Sequence, residues 1–266
     1  MKLKCILFYF ILTICLISTS SLHAQLTNAE KNELFYKVDK AIGNLQTVVY
    51  KLNYNTKFFA RRDTIFETAI CSLRIAPKDK LKAYNIVDFE YKDAAMHTFG
   101  HRKYDGNKAL WITYFNLDSL HKAINPEIFT KKRQVRAVVE NYQNSLLEEY
   151  LFTKNPMGSH DIMSGLIPVT EETLHGTPVY VIHIKYVDTA DYKDNVAKHY
   201  IRKSDYLPIA YYSTMKWENM EQYRYYEVDY LAINPDLPVE AFTVSKEEKI
   251  DGEQRYQAFK EKQKTK

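Results

Sequence analysis

The stretch that decides the fold is PVYVIHIKYVDTADYKDNVAKHYIRKSDYLPIAYYSTMKWENMEQYRYYEVDYL, Pro178 to Leu231. Four apolar-periodic segments lie in it: Val179–Val187, Val196–Arg202, Leu207–Trp217 and Tyr223–Leu231. In the first, Tyr180, Ile182, Ile184 and Tyr186 fall on one face and Val179, Val181, His183 and Lys185 on the other. Period-two alternation at this spacing predicts an antiparallel meander, each strand paired with the next. Large side chains stand on both faces, so both must be covered or one must hold something.

Upstream, the same period recurs. Val48, Tyr50, Leu52, Tyr54 and Phe58 share a face of one long strand. Arg61–Asp63 then turns the chain into Ile65–Ile75, where Ala69, Cys71, Leu73 and Ile75 point together. Pro77–Asp79 breaks that run, and Lys82–Tyr91 forms a third strand. His97–Tyr104 and Lys108–Phe115 make a hairpin around Asp105-Gly106, a pair that tolerates positive φ. His97 and His101 share a strand face there, which with no third ligand nearby reads as a solvated face and not as a metal site.

Helical spacing appears twice. Thr27 and Glu30 form a capping box ahead of Leu34, Val38, Ala41, Ile42 and Leu45, and Gly43-Asn44 supplies the stop. That helix is too short to stand alone and must lie on a sheet. Residues 117–152 read as a helical insert. A short helix through Leu117, Leu120 and Ile124 ends at Asn125-Pro126, and a longer amphipathic one carries Val135, Val138, Val139, Tyr142, Leu146 and Tyr150. Asn155–Pro168 is a loop, and the adjacent Ser159, His160 and Asp161 in it are turn chemistry, since catalytic triads converge from separate elements. Residues 246–266 read as a charged tail, a frayed helix or disordered.

The first residues carry a basic start (Lys2, Lys4), an apolar core (Ile6–Ile17) and a small-polar exit. This is the pattern of a secretory signal peptide over residues 1–24, so an exported, periplasmic protein is expected, with residues 25–245 as its domain. Beyond the signal only Cys71 remains of the 3 cysteines, which leaves no internal disulfide and no zinc finger. A net charge of +4 gives no reason to expect nucleic acid. With 7 glycines in the chain, no phosphate loop or dinucleotide fingerprint is present, nor any hydrolase or metalloprotease motif. No enzyme, cofactor or metal is expected, although a hydrolase with a dispersed site at His160 or His175 is a further possibility.

The run His199-Tyr200-Ile201-Arg202-Lys203-Ser204-Asp205-Tyr206-Leu207-Pro208-Ile209 resembles a signature of LolA/LolB-like and RseB-like periplasmic proteins: a strand, a charged turn, then Leu-Pro opening the next strand. Tyr104–Ile112 is similar to the Tyr-Asp-Gly-Lys hairpin of the same superfamily. The early helix and the closing Pro235–Phe242 segment also agree. The resemblance implies an α+β fold: a curved antiparallel sheet, an open half-barrel, with helices covering its concave face. It further implies an apolar hollow for a lipid or lipoprotein acyl chain, in a monomer that serves lipoprotein sorting or sensing. Lining candidates are Trp111, Ile182, Ile184, Tyr211, Trp217, Tyr226 and Tyr230. The same residues serve equally as ordinary core, in which case the protein is a structural or interaction module meeting other envelope proteins.

Overall fold

The computed structural model describes residues 26–79, 83–115, 117, 124–135, 167–245 and 251–264. The chain opens with helix α1 (Asn28–Gly43) and continues into β1 (Thr47–Lys57), β2 (Ile65–Ile75), β3 (Ala83–Lys92), β4 (His97–Tyr104), β5 (Ala109–Phe115) and β6 (Ile124–Phe129). The second run of strands is β7 (Val169–Leu174), β8 (Thr177–Lys185), β9 (Tyr192–Arg202), β10 (Pro208–Trp217) and β11 (Met220–Ile233). A 3₁₀ turn (Val239–Phe242) and helix α2 (Gly252–Lys264) close the described chain.

All eleven strands form one antiparallel sheet in the order β6-β5-β4-β3-β2-β1-β11-β10-β9-β8-β7. Two meanders are thus sewn together by the β1–β11 ladder, which joins strands from opposite ends of the chain. The sheet is open and curved, and edge strands β6 and β7 do not meet. Each edge has a device against further pairing. Pro126 in β6 lacks the donor a ladder needs, and Glu171 and Glu172 load β7 with charge.

Local chemistry explains the joints. Thr27 and Glu30 form the capping box: the Thr27 N–H donates to Glu30 Oε2 at 2.8 Å and the Glu30 N–H donates to Thr27 Oγ1 at 3.4 Å. Asn234, at the end of β11, accepts from the Gln46 and Thr47 N–H groups at 2.7 and 3.3 Å and donates to the Asn44 carbonyl at 3.2 Å. The end of the meander therefore clamps the α1–β1 junction. In the β4–β5 turn, Asp105 Oδ1 accepts from the Asn107 and Lys108 N–H groups at 2.9 and 2.7 Å. Gly106 sits there at φ +94°, where a Cβ would come within 2.7 Å of the Tyr84 ring. In the charged turn after β9, Arg202 Nε donates to Asp205 Oδ1 at 2.9 Å, and Leu207 behind it is buried.

The alternation read from the sequence holds. Val48, Tyr50, Leu52, Ala69, Cys71, Leu73, Ile182 and Ile184 all enter one cluster beneath Leu34, Val38 and Ile42 of α1. Cys71 is a wholly buried apolar group there, and burial pushes its thiol pKa well up. Val179 and Val181 belong to a separate cluster on the opposite face.

Three expectations are corrected. Residues 124–129 do not end a helix at Asn125-Pro126; they form β6, the sheet edge, where a proline is tolerated. β7 precedes the meander and was not expected, because Val169 and Leu174 are its only apolar residues. The tail is not frayed: α2 docks Phe259, 2% exposed, against Phe99, Leu110, Ile112 and Tyr114 on the outer face. The signal peptide, most of the expected 117–152 insert and His160 lie outside the described residues.

Candidate functional site

The inner face, the side α1 covers, carries a row of rings one register step deep across four strands. Tyr54 of β1 pairs with Tyr226 of β11, Tyr226 with Tyr211 of β10, and Tyr211 with His199 of β9. Ile182 of β8 continues the row. Because same-row side chains on neighbouring strands lie side by side, the rings meet. Tyr54 stacks on Tyr226 at 4.6 Å and 7°, Tyr211 tilts against Tyr226 at 5.8 Å, and His199 sets its edge to Tyr211 at 4.9 Å. Tyr54, Tyr211 and Tyr226 are half-buried and pack against the cluster under α1.

Burial, then the neighbouring Tyr54, drives the Tyr226 phenol pKa far above its ordinary value. Burial does the same to Tyr230, whose hydroxyl donates to the Pro208 carbonyl at 2.8 Å while the Arg202 guanidinium lies 5.3 Å from its ring centre. Both phenols are neutral at physiological pH, and the Tyr230 O–H is spent on the Pro208 carbonyl. Such a surface can bury methylenes and donate hydrogen bonds to a carbonyl or carboxyl. Among the described residues it holds no paired acid and base of the kind hydrolysis needs.

Toward β5 the same face becomes polar. Gly100 has no Cβ, and one built there would fall 2.1 Å from the Phe89 ring, so only glycine lets Phe89 lie flat on β4. The Arg102 guanidinium, 7% exposed, is then sandwiched between Phe89 at 4.5 Å and Trp111 at 4.6 Å.

Five lining candidates come together: Ile182, Ile184, Tyr211, Tyr226 and Tyr230 sit in or against the α1 cluster. Tyr230 also touches the outer cluster of Val179, Val181 and Ile209. Trp111 shares the inner face but belongs to a separate group with Tyr104, Ala109 and Val135. Trp217 lies at the rim, 37% exposed. Sequence reasoning missed Tyr54 and His199 as ring-row members. The signal was available for Tyr54, which shares parity with Leu52, but the strand-to-strand register was not.

The outer face differs in kind. Arg255 of α2 donates to Asp88 Oδ1 at 3.1 Å, and His101 Nδ1 meets the same oxygen at 2.9 Å. Lys260 and His97 both reach Glu90, at 3.0 and 2.9 Å. Burial raises the Asp88 carboxyl, but the His101 hydrogen bond and charge, with Arg255, outweigh it and hold the group below the usual range. Beside the C-terminal end of α2, a groove of about 870 Å³ is lined by charged side chains including Lys51, Arg202, Glu227, Asp229 and Lys262. His175 at its margin, 72% exposed, pairs with Glu227 at 2.9 Å. Tyr212, Tyr223 and Tyr225, half-buried on this outer side, make neither a bare patch nor a core.

No family model and no curated protein matches the chain. Solved structures do. LprF from Mycobacterium bovis is 7% identical, with 81% of this chain and 98% of that one covered and a TM-score of 0.42. MucB is 11% identical over 82% of this chain, which spans 64% of that protein, with a TM-score of 0.37. A LolA superfamily protein from Nitrosomonas europaea is 11% identical, with 80% and 97% covered and a TM-score of 0.23.

Proposed function

We propose that this protein is an exported, non-catalytic binder of a lipid or lipoprotein acyl chain, held on the inner face of the sheet in the cell envelope. The carrying observation is the Tyr54–Tyr226–Tyr211–His199 row beside the Ile182–Ile184 wall, an aromatic floor lying against the α1 cluster. Each methylene buried there contributes about 0.8 kcal/mol before ordering costs. The neutral phenol of Tyr226 supplies a polar contact for the head of the chain, while the Tyr230 O–H stays with the Pro208 carbonyl. Ile182, Ile184, Tyr211, Tyr226 and Tyr230 form the floor, Trp217 its outer end and Trp111 a second polar-apolar station.

Native mass spectrometry of the mature chain, with displacement of a fluorescent fatty acid, tests this. A co-purified lipid mass and displacement weakened at least tenfold by Tyr211→Lys, in a protein that still melts cooperatively, is the expected result. No bound lipid and no displacement would leave a filled core, and with it an envelope interaction module.

A further inference from the structure

Three polar atoms beneath α2 meet in a triangle whose contacts cannot all be hydrogen bonds at once. His101 Nδ1 lies 2.9 Å from Asp88 Oδ1 and 2.9 Å from Arg255 Nη1, and Arg255 Nη1 lies 3.1 Å from the same Asp88 oxygen. A guanidinium carries only donors, so Nδ1 meets it by offering its lone pair, with the ring proton on Nε2. To bond the carboxylate, Nδ1 must carry a proton instead. A neutral imidazole can therefore accept from Arg255, whose terminal N–H groups bridge it to Asp88. An imidazolium has N–H on both nitrogens: it keeps Asp88 and turns a donor and a second positive charge toward Arg255.

The triangle joins helix to sheet. Asp88 of β3 and His101 of β4 stand opposite each other in register, while Arg255 comes from α2. His101 is 1% exposed and the Arg255 side chain 27%, so the guanidinium can move toward water and the imidazole cannot. An opening of about 310 Å³, lined by Asp88, Asp251, Gln254, Arg255 and Lys262, lets water and protons reach the carboxylate. The other charged and titratable groups around the ring come from every packed element. On β3, Glu90 takes bonds from Lys260 and Tyr256 of α2 and from His97 of β4. Asp251, just before α2, accepts from the Gln254 N–H at 2.8 Å. On β5 the Tyr114 phenol is wholly buried, is pushed up to about 12 chiefly by that burial, and stays neutral. Lys103 follows two residues on along β4.

We propose that His101 is a proton-operated latch for α2: neutral, it holds the first half of the helix through Arg255, and on taking a second proton it keeps Asp88 and releases the guanidinium. The sign follows from what release changes. Asp88 faces the imidazole whether α2 is docked or not, whereas Arg255 faces it only in the docked state. Proton binding and Arg255 binding therefore compete, the released state holds the more protons, and docking weakens as the pH falls through the range where histidine titrates. His97 acts in the same sense, since once charged it competes with Lys260 for Glu90. Asp251 acts in the opposite sense, but its Oδ1 is engaged by the Gln254 N–H. Phe259 and Lys260 anchor the second half, so the loosened segment carries Arg255 and Tyr256, whose ring otherwise covers Phe99 edge-on at 5.3 Å. Mild acid thus opens an apolar part of the outer face.

Amide exchange of the mature chain, corrected for the intrinsic effect of pH, tests this. Protection in the Arg255 half of α2 is expected to fall about fivefold between about pH 7.5 and about pH 5.5, with α1 unchanged. His101→Asn places an amide oxygen where Nδ1 stood, an acceptor that takes no proton, and its difference between the two pH values is expected to stay below about twofold. Wild-type protection equal at both pH values, or a fall in His101→Asn as large as in wild type, overturns the proposal. A second measurement leaves the buried ring in place. In Arg255→Met, a change at a partly exposed position, the His101 imidazole resonances are expected to titrate at a higher pH than in wild type, because the competing cation is gone. A midpoint that stays where it was, or moves down, overturns it equally.

Discussion

The two faces of this sheet are covered by helices of similar length held by different forces. α1 lies on the inner face through Leu34, Val38 and Ile42, with its own N-terminus capped. α2 lies on the outer face through Phe259 and Tyr256, and is then tied by Arg255 to Asp88, by Lys260 to Glu90 and by Gln263 to Thr68 at 2.8 Å. The inner attachment is mainly apolar, with Lys37 over the Tyr206 ring at 5.2 Å as a polar addition, and depends less on pH and salt. The outer one is directional, partly exposed and sensitive to both. A face that adapts to an apolar guest suits the first, and a fixed brace suits the second.

The contrast can be broken first on the inner side. Leu52, 2% exposed under α1, packs in the sheet centre where little can collapse. Leu52→Ala is expected to cost about 2–5 kcal/mol, read as a lowered urea midpoint with the slope unchanged.

On the outer side, Arg255→Ala removes one of two partners from a carboxylate whose side chain is 16% exposed. A loss of about 1–3 kcal/mol is expected, with amide exchange accelerated in residues 252–264 and not in β1. Equal acceleration in both would show that α2 and the inner core unfold as one unit.

Acid should separate the faces without mutation. Asp88 and Glu90 ordinarily titrate at 3.8 and 4.5, and in the fold both lie lower. For Glu90, burial pushes upward, but the bonds from His97 and Lys260 prevail. Depressed carboxylates add stability that is fully present above about pH 4.5 and is lost as the pH falls below 3.8 and through their folded values. Exchange in α2 should therefore rise in that window while α1 keeps its protection beyond its first turn, where Glu30 loses its capping bonds, and Arg255→Ala should flatten the Asp88 part of the difference.

The smallest expected effect concerns the ring row. A double-mutant cycle of Tyr54→Leu and Tyr226→Leu should return a coupling of about 0.5–1.5 kcal/mol for a stack at 4.6 Å. Coupling that vanishes when a fatty acid is bound would place the guest between or upon those rings.

Legibility in the sequence followed the strength of local pattern. β8–β11 were readable because each has an alternating stretch, although the Tyr192–Asn195 start of β9 has none and was not read, and α1 because its cap and stripe agree. β7 has too few apolar residues to announce itself, and β6 is disguised by Asn125-Pro126 in what otherwise reads as a helix end. α2 was misread for a related reason. Its composition is that of a solvated helix, with Phe259 and Tyr256 as sparse anchors, and its charges acquire partners only from Asp88 and Glu90, more than a hundred residues earlier.

Of the candidate site, the sequence alone determined which residues share a face, because side-chain direction along a strand is local geometry. It determined in that way that Ile182, Ile184 and Tyr180 look one way and Val179 and Val181 the other. Register between strands is not local. Only the closure of β11 on β1 put Tyr226 between Tyr54 and Tyr211 and made separate tyrosines into a floor. Only the same closure brought Phe59 to Trp217 and Tyr192 at the rim, since hydrogen bonds between distant strands decide which of many possible neighbours each ring meets.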